Sequence, residues 1–181
     1  AFFDTHPEAC ICQTEEIWVR RGKRVNPRQR HRKPSGWIFE PSLALCLVSP
    51  SAVMLRRELM AEMGGFDESL PACEDYDLWL RICACNPVAF VETPQVIKYG
   101  GHPDQLSHRH WGMDRFRLRA LEKIIHSGTI HGEALTAAVS TLIDKAEILA
   151  QGAEKRGHHA RARFYRDKQR IISRLRSAGS A

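Results

Sequence analysis

The chain has 181 residues, 43% of them hydrophobic and 27% charged, ordinary proportions for a soluble protein with one core and a small appendage. No apolar run approaches the roughly 18 residues needed to span a bilayer, and no basic segment followed by an apolar one marks a secretory signal at the start. The net charge of +6 is uneven: from Gln151 to Ala181 nine Lys and Arg face two acids, Glu154 and Asp167, so the tail supplies the whole excess.

In chain order, Glu8 to Val19 reads as a strand with Cys10, Cys12, Ile17 and Val19 turned inward. Arg21-Gly22-Lys23 predicts a hairpin turn. Asn26 to Gly36, polar and basic with two prolines, predicts an exposed loop. It belongs to a run from Arg20 to Lys33 with eight cations and no acid. Leu43 to Val48 and Ala52 to Leu55 are short apolar runs that suit buried strands, or a strand and a turn; periodicity does not choose. Arg57 to Met63 predicts a short helix ended by Gly64, since glycine accepts the left-handed conformation at a helix C-terminus, with Phe66 packing back as an anchor. A helix from Glu74 to about Ala84 follows, stopped by Asn86-Pro87. Val88 to Val91 and Gln95 to Tyr99 predict two short strands around a Thr93-Pro94 turn.

From Met113 the pattern turns helical. Met113, Phe116, Ala120, Leu121, Ile124 and Ile125 form one stripe. A second helix is expected from Glu133 to about Ala150. A third is expected from Ala153 to Leu175, with Ala162, Phe164, Tyr165, Ile171, Ile172 and Leu175 as its apolar side. The last two predict an antiparallel helical hairpin. The expected organisation is thus an α/β part over residues 1–127 and a basic helical extension over 128–181.

The six cysteines do not form a disulfide framework. Cys10-x-Cys12 and Cys83-x-Cys85 lack the two-residue gap of structural zinc sites, so reduced thiols in a cytoplasmic protein are expected.

Chemistry concentrates in Glu74-Asp75-Tyr76-Asp77-Leu78-Trp79-Leu80-Arg81. On a helix Asp75, Leu78, Trp79 and Ile82 share one face, while Glu74, Asp77 and Arg81 fall on another. One carboxylate then heads an apolar stripe, where solvent is excluded and a base is useful. The plain alternative is that all three acids are helix-start residues, favoured there by the positive end of the helix dipole.

The order of several spaced elements sharpens this. Ser49-Pro50-Ser51-Ala52-Val53-Met54-Leu55-Arg56-Arg57-Glu58-Leu59 leads through Gly64-Gly65-Phe66-Asp67-Glu68 to the Glu74–Arg81 motif. This order resembles the family 2 glycosyltransferases, from near the N-terminus to about Lys123 and most closely from Ser49 to Ser107. The resemblance implies a GT-A fold, here a partial mixed sheet with flanking helices. It also implies transfer of a sugar from a nucleotide-sugar donor to an acceptor hydroxyl, with inversion. By the same resemblance Asp75 is the expected general base, and Glu74 faces the acceptor. Trp79 is an acceptor-binding candidate because an indole face stacks on the apolar face of a sugar; its place on the apolar stripe gives a core position as the alternative. His102, in Tyr99-Gly100-Gly101-His102, is the expected ligand of a divalent metal, Mn²⁺ or Mg²⁺; Gly100 stands where the family often has Arg.

The family's donor half has a Val-Ile-Ile-Pro-like strand and an Asp-x-Asp motif that shares the metal. Neither occurs ahead of Ser49, where Asp4 is the sole aspartate. The expectation is therefore the acceptor-side half of a longer transferase, incomplete and inactive on its own. Its partners would be a nucleotide sugar and a glycan or lipid-linked acceptor of cell-envelope polysaccharide, handled in the cytoplasm or at the inner face of the membrane, with the basic tail against anionic lipid.

Trp111 is a weaker sugar-stacking candidate, and His108 and His110 read as solvated. Two other readings remain open. The basic run and tail could serve a nucleic-acid-binding module, although nucleic acid is disfavoured because no helix-turn-helix, zinc-finger or RNA-recognition pattern is present. The chain could also be a non-catalytic remnant or scaffold.

Overall fold

The computed structural model describes residues 2–26, 29–100 and 109–178; His102 and His108 lie outside them. Its architecture is mixed α/β, consistent with part of a GT-A fold. Strand β1 (Ile11–Arg20) is the axis of a four-stranded mixed sheet. Along one edge it pairs antiparallel with β2 (Lys23–Val25) near its end and with β3 (Val53–Leu55) near its start. The turn into β2 uses two left-handed residues, Arg21 (φ 51°) and Gly22 (φ 73°), the backbone that matches the twist of a two-residue hairpin. Along the other edge runs β4 (Ala89–Gly100), parallel to β1 from Cys12↔Ala89 to Arg20↔Gly100.

β4 corrects the expectation of two strands. The chain stays paired to β1 on both sides of Thr93-Pro94, and the register steps from Thr14↔Val91 to Glu16↔Val96. The surplus residues, Glu92 to Gln95, are exposed. Proline donates no hydrogen bond, so it fits a bulge but not the ladder.

Ile11, Cys12 and Gln13 are buried in succession, because β1 is covered on both faces at that end. The inward alternation expected of it holds only in part: Cys10, Ile17 and Val19 are half-buried. The Leu43–Val48 run is not a strand. Helix α1 (Phe2–Thr5) is a single turn, and α2 (Phe39–Ala44) takes in Leu43, with Pro41 in its first turn, where a missing N–H costs nothing.

Helix α3 (Arg57–Glu62) ends as expected, with Gly64 at φ 70°. Helix α4 (Glu74–Cys85) starts from Cys73 in the left-handed region, φ 62°. Asn86 closes it, donating its backbone N–H to the Ile82 carbonyl at 2.9 Å. α4 buries Tyr76, Asp77, Leu78, Trp79, Leu80, Ile82 and Cys83, so it is a core helix rather than one with a single buried face.

Helix α5 (Asp114–His126) buries Phe116, Leu118, Ala120, Leu121, Ile124 and Ile125. Helices α6 (Gly132–Glu154) and α7 (His159–Ala178) form the expected hairpin. Arg166 bonds Glu154 near the turn, and Gln169 reaches Glu147 and the Ile143 carbonyl farther along; partners receding along α6 as α7 advances make the pair antiparallel. Ala162, Tyr165 and Ile172 are buried, but Phe164 and Ile171 face outward. One hydrophobic cluster joins β1, α4, α5, α6 and α7, and Lys145 of α6 donates to the Ala44 carbonyl at 3.2 Å.

Candidate functional site

Asp75 stands in the first turn of α4, half-buried. Its Oδ1 accepts the Tyr76 backbone N–H at 2.7 Å, and its Oδ2 accepts the Cys46 thiol at 3.6 Å. The left-handed Cys73 and the buried Tyr76, whose hydroxyl donates to the Leu43 carbonyl at 2.6 Å, fix how α4 presents this turn. Asp75 and Cys46 lie between two depressions. One is lined by Glu16, Trp18, Lys33, Ser49 and Lys98 among others. The other is lined by Cys73, Glu74, Met113 and Arg117.

Glu16 is the unexpected member. It lies on β1 with its side chain 1% exposed. Its Oε2 is 3.4 Å from Lys33 Nζ and accepts Trp18 Nε1–H at 3.2 Å; its Oε1 accepts the Ser51 hydroxyl at 3.3 Å and lies 4.0 Å from Lys98 Nζ. Burial alone would raise this carboxyl. The neighbouring Ser49 hydroxyl and the Lys98 and Lys33 cations outweigh burial and hold it below its ordinary value. Lys33 is itself buried and donates to the Thr14 carbonyl at 2.7 Å; burial lowers its ammonium even against the pull of Glu16. The loop expected to be exposed therefore turns one of its cations inward. Lys98 also stands 5.0 Å over the Trp18 ring.

Asp77 is more than a helix-start residue. It is 1% exposed and paired with Arg81 at 2.9 Å and Lys123 at 2.7 Å. Arg81 also donates to the Met63 and Gly65 carbonyls, and Lys123 reaches Asp67 at 2.6 Å. The third acid of the motif thus holds the Gly64–Asp67 loop against α4. Although Asp75-Tyr76-Asp77 has the spelling Asp-x-Asp, its two carboxylates have partners on different elements and do not converge on one point.

Trp79 is 2% exposed and stands edge-on to Phe66, ring centres 6.4 Å apart. No face of its indole is open to a sugar in this structure, so Trp79 occupies the core position expected as its alternative. Glu74 is half-buried beside Asp75, with Arg117 on the same depression. Arg117 donates to Asp114 at 3.0 Å and stands 5.9 Å over the Tyr76 ring. Trp111 is 48% exposed, with Arg115 and Arg161 guanidinium groups over its ring at 4.4 and 4.6 Å. His110 packs edge-on against Phe116. His102 falls outside the described residues. Among those described, no group of three or more His, Cys, Asp or Glu is placed to hold a metal ion. These residues do not supply a ligand set by themselves.

Sequence reasoning missed Cys46, Glu16, Lys33 and Lys98 as site residues. The available signal was Glu15-Glu16 inside a strand expected to turn residues inward, where a charge needs a partner to be buried.

A family model described as "glycosyltransferase like family 2" matches residues 37–132, which hold α2 to α5 and the whole Glu74–Arg81 motif. An uncharacterized protein of Mycobacterium tuberculosis (strain CDC 1551 / Oshkosh) is 34% identical over 84 residues, covering 41% of this chain and 26% of that protein. The chain thus spans about a quarter of the length of the curated relative it matches. No solved structure matches.

Proposed function

The chain belongs to the glycosyltransferase-like family 2, and from that premise we propose that it forms the acceptor side of an inverting sugar transfer with Asp75 as general base. The observation that carries this is the Asp75 carboxylate at the head of α4, anchored by Cys46 and the Tyr76 N–H on the wall of a charged cleft. In this reading Asp75 takes the proton of an acceptor hydroxyl as its oxygen attacks the anomeric carbon of a nucleotide sugar. The bond from that carbon to the diphosphate breaks, and the nucleoside diphosphate leaves with the electron pair. A single displacement inverts the centre, and a positioned carboxylate contributes roughly 10²–10⁴ in rate.

Glu74, one position earlier, hydrogen-bonds acceptor hydroxyls. A divalent metal, Mn²⁺ or Mg²⁺, would be held by His102 together with an Asp-x-Asp motif supplied from outside this chain, and would neutralise the leaving diphosphate; neutral imidazole suits Mn²⁺ better. The acceptor is a glycan or lipid-linked precursor of cell-envelope polysaccharide, handled on the cytoplasmic side with the basic C-terminal helix peripheral to the membrane. No helix among the described residues is long and apolar enough to cross a membrane. The rival nucleic-acid reading is weakened by Lys33, which spends its charge on Glu16 rather than on solvent.

The test is nucleoside diphosphate release by the full-length protein offered a panel of nucleotide sugars with Mn²⁺ and lipid-linked acceptors. Acceptor-dependent release from one donor is expected. Absence of release from every donor, with the protein folded, would favour a scaffold.

A further inference from the structure

The outward face of α7 carries an apolar stripe edged by cations. Phe164 and Ile171 are 53% and 62% exposed, although the same helix buries Ala162, Tyr165 and Ile172 about 80° or more round its axis. They are seven positions apart, two helical turns, so their side chains stand on one line. Arg163, Arg170 and Arg174 are exposed along one edge of that line. Along the other edge, Lys168 stands 5.1 Å over the Phe164 ring, and Arg161 covers the half-exposed Trp111.

The carboxylates that face this surface are few. Asp167 on α7 pairs with Arg170, Glu154 of α6 with Arg166, and Glu122 of α5 with Lys168. Among the described residues Arg163 and Arg174 have no carboxylate partner.

We propose that this face docks on an anionic lipid bilayer, with Phe164 and Ile171 seated among the upper acyl chains and the arginines on headgroup phosphates. An apolar line bordered by Arg and Lys, with a tryptophan at its margin, is the composition of helices that lie in the membrane interface. Nucleic acid would use the arginines but has no need for two aliphatic and aromatic side chains pointing outward between them. A second copy would bring two rows of arginine together, which like charges oppose. The inference deepens the peripheral part of the proposed function. Vesicle binding is scored without any sugar transfer, so the two can fail separately.

The experiment is co-sedimentation of the full-length protein with vesicles of phosphatidylcholine alone and of phosphatidylcholine with phosphatidylglycerol, across a salt series. Binding is expected to the anionic vesicles and not to the neutral ones. The double variant Phe164→Ser/Ile171→Ser should weaken it by about tenfold or more while leaving the helical circular dichroism unchanged. Arg163→Gln/Arg174→Gln should also weaken binding and flatten its salt dependence. Equal binding by the Ser variant would overturn the docking face, as would equal binding to neutral vesicles or no binding at low salt. So would a dimer in solution that the Ser variant abolishes, or tight RNA or DNA binding by a protein that ignores vesicles.

Discussion

Cys46 donates its thiol to Asp75 Oδ2 at 3.6 Å across 29 positions of sequence. Burial comes first among the causes that push this thiol up, and the Asp75 carboxylate adds to it. The thiol is therefore protonated at neutral pH, which is the form that can donate. Burial likewise pushes Cys73 up to about 11 and Cys83 up to about 12.

A reactivity order follows, because the thiolate is the nucleophile. In native protein Cys85, which is exposed, should be alkylated first, and Cys46 only when the fold opens. Peptide mass spectrometry after timed iodoacetamide treatment checks this. Early labelling of Cys46 would remove it as the partner of Asp75.

The Asp67–Lys123–Asp77–Arg81 network predicts a signed pH effect. The Asp67 carboxyl is held well below its ordinary value, first by its hydrogen bond from Lys123. A lowered carboxyl contributes stability that is present above its unfolded value, about 3.9, and is lost as pH falls through the folded one. Lys123→Met should thus be less stable than wild type at neutral pH, with the gap narrowing below about pH 4. Asp77→Ala removes the buried member of the network and leaves the partly exposed Arg81 and Lys123 without it; loss of these charged hydrogen bonds should cost about 1.5–3 kcal/mol at neutral pH. Thermal melts between acid and neutral pH test both; a gap that stays constant would contradict the pairing.

Glu16 offers a second acid-sensitive point. Its lowered carboxyl contributes stability above an unfolded value of about 4.3, lost as pH falls through its folded value. Glu16→Gln keeps the shape but leaves Lys33 buried without its counter-charge. A loss of about 2 kcal/mol or more by urea unfolding is expected at neutral pH. A neutral effect would show that Lys33 relies on the Thr14 carbonyl alone.

Trp79→Ala separates a core role from a sugar-stacking one. A buried tryptophan costs about 3–5 kcal/mol when truncated. A large stability loss is therefore expected. A variant of unchanged stability with a raised acceptor KM would return Trp79 to the acceptor site.

Local signals were legible where they are self-contained. Gly64 ended α3, Asn86 closed α4, and the Met113–Ile125 stripe became the buried face of α5. Asp75 was legible as the head of α4 because acids in a first turn follow a short-range rule. What stayed hidden depends on distant partners. Nothing within Gln95–Tyr99 announces that it continues Ala89–Val91 across a bulge; the parallel ladder on β1 imposes that. The burial of Asp77 was not legible because Lys123, its partner, lies 46 positions later, and Lys33 was placed in an exposed loop because Glu16 is on another element. Phe164 and Ile171 matched an apolar helix face by type, but they lie off the side of α7 that buries Ala162, Tyr165 and Ile172.

The most direct measurement is sugar transfer by the full-length protein carrying Asp75→Asn, alongside wild type, with donor binding measured in parallel. Asn keeps the size and the bond from the Tyr76 N–H but cannot take a proton. A fall in kcat of roughly 10²-fold or more, with donor affinity and melting temperature close to wild type, is expected. Turnover near the wild-type rate would contradict Asp75 as the base.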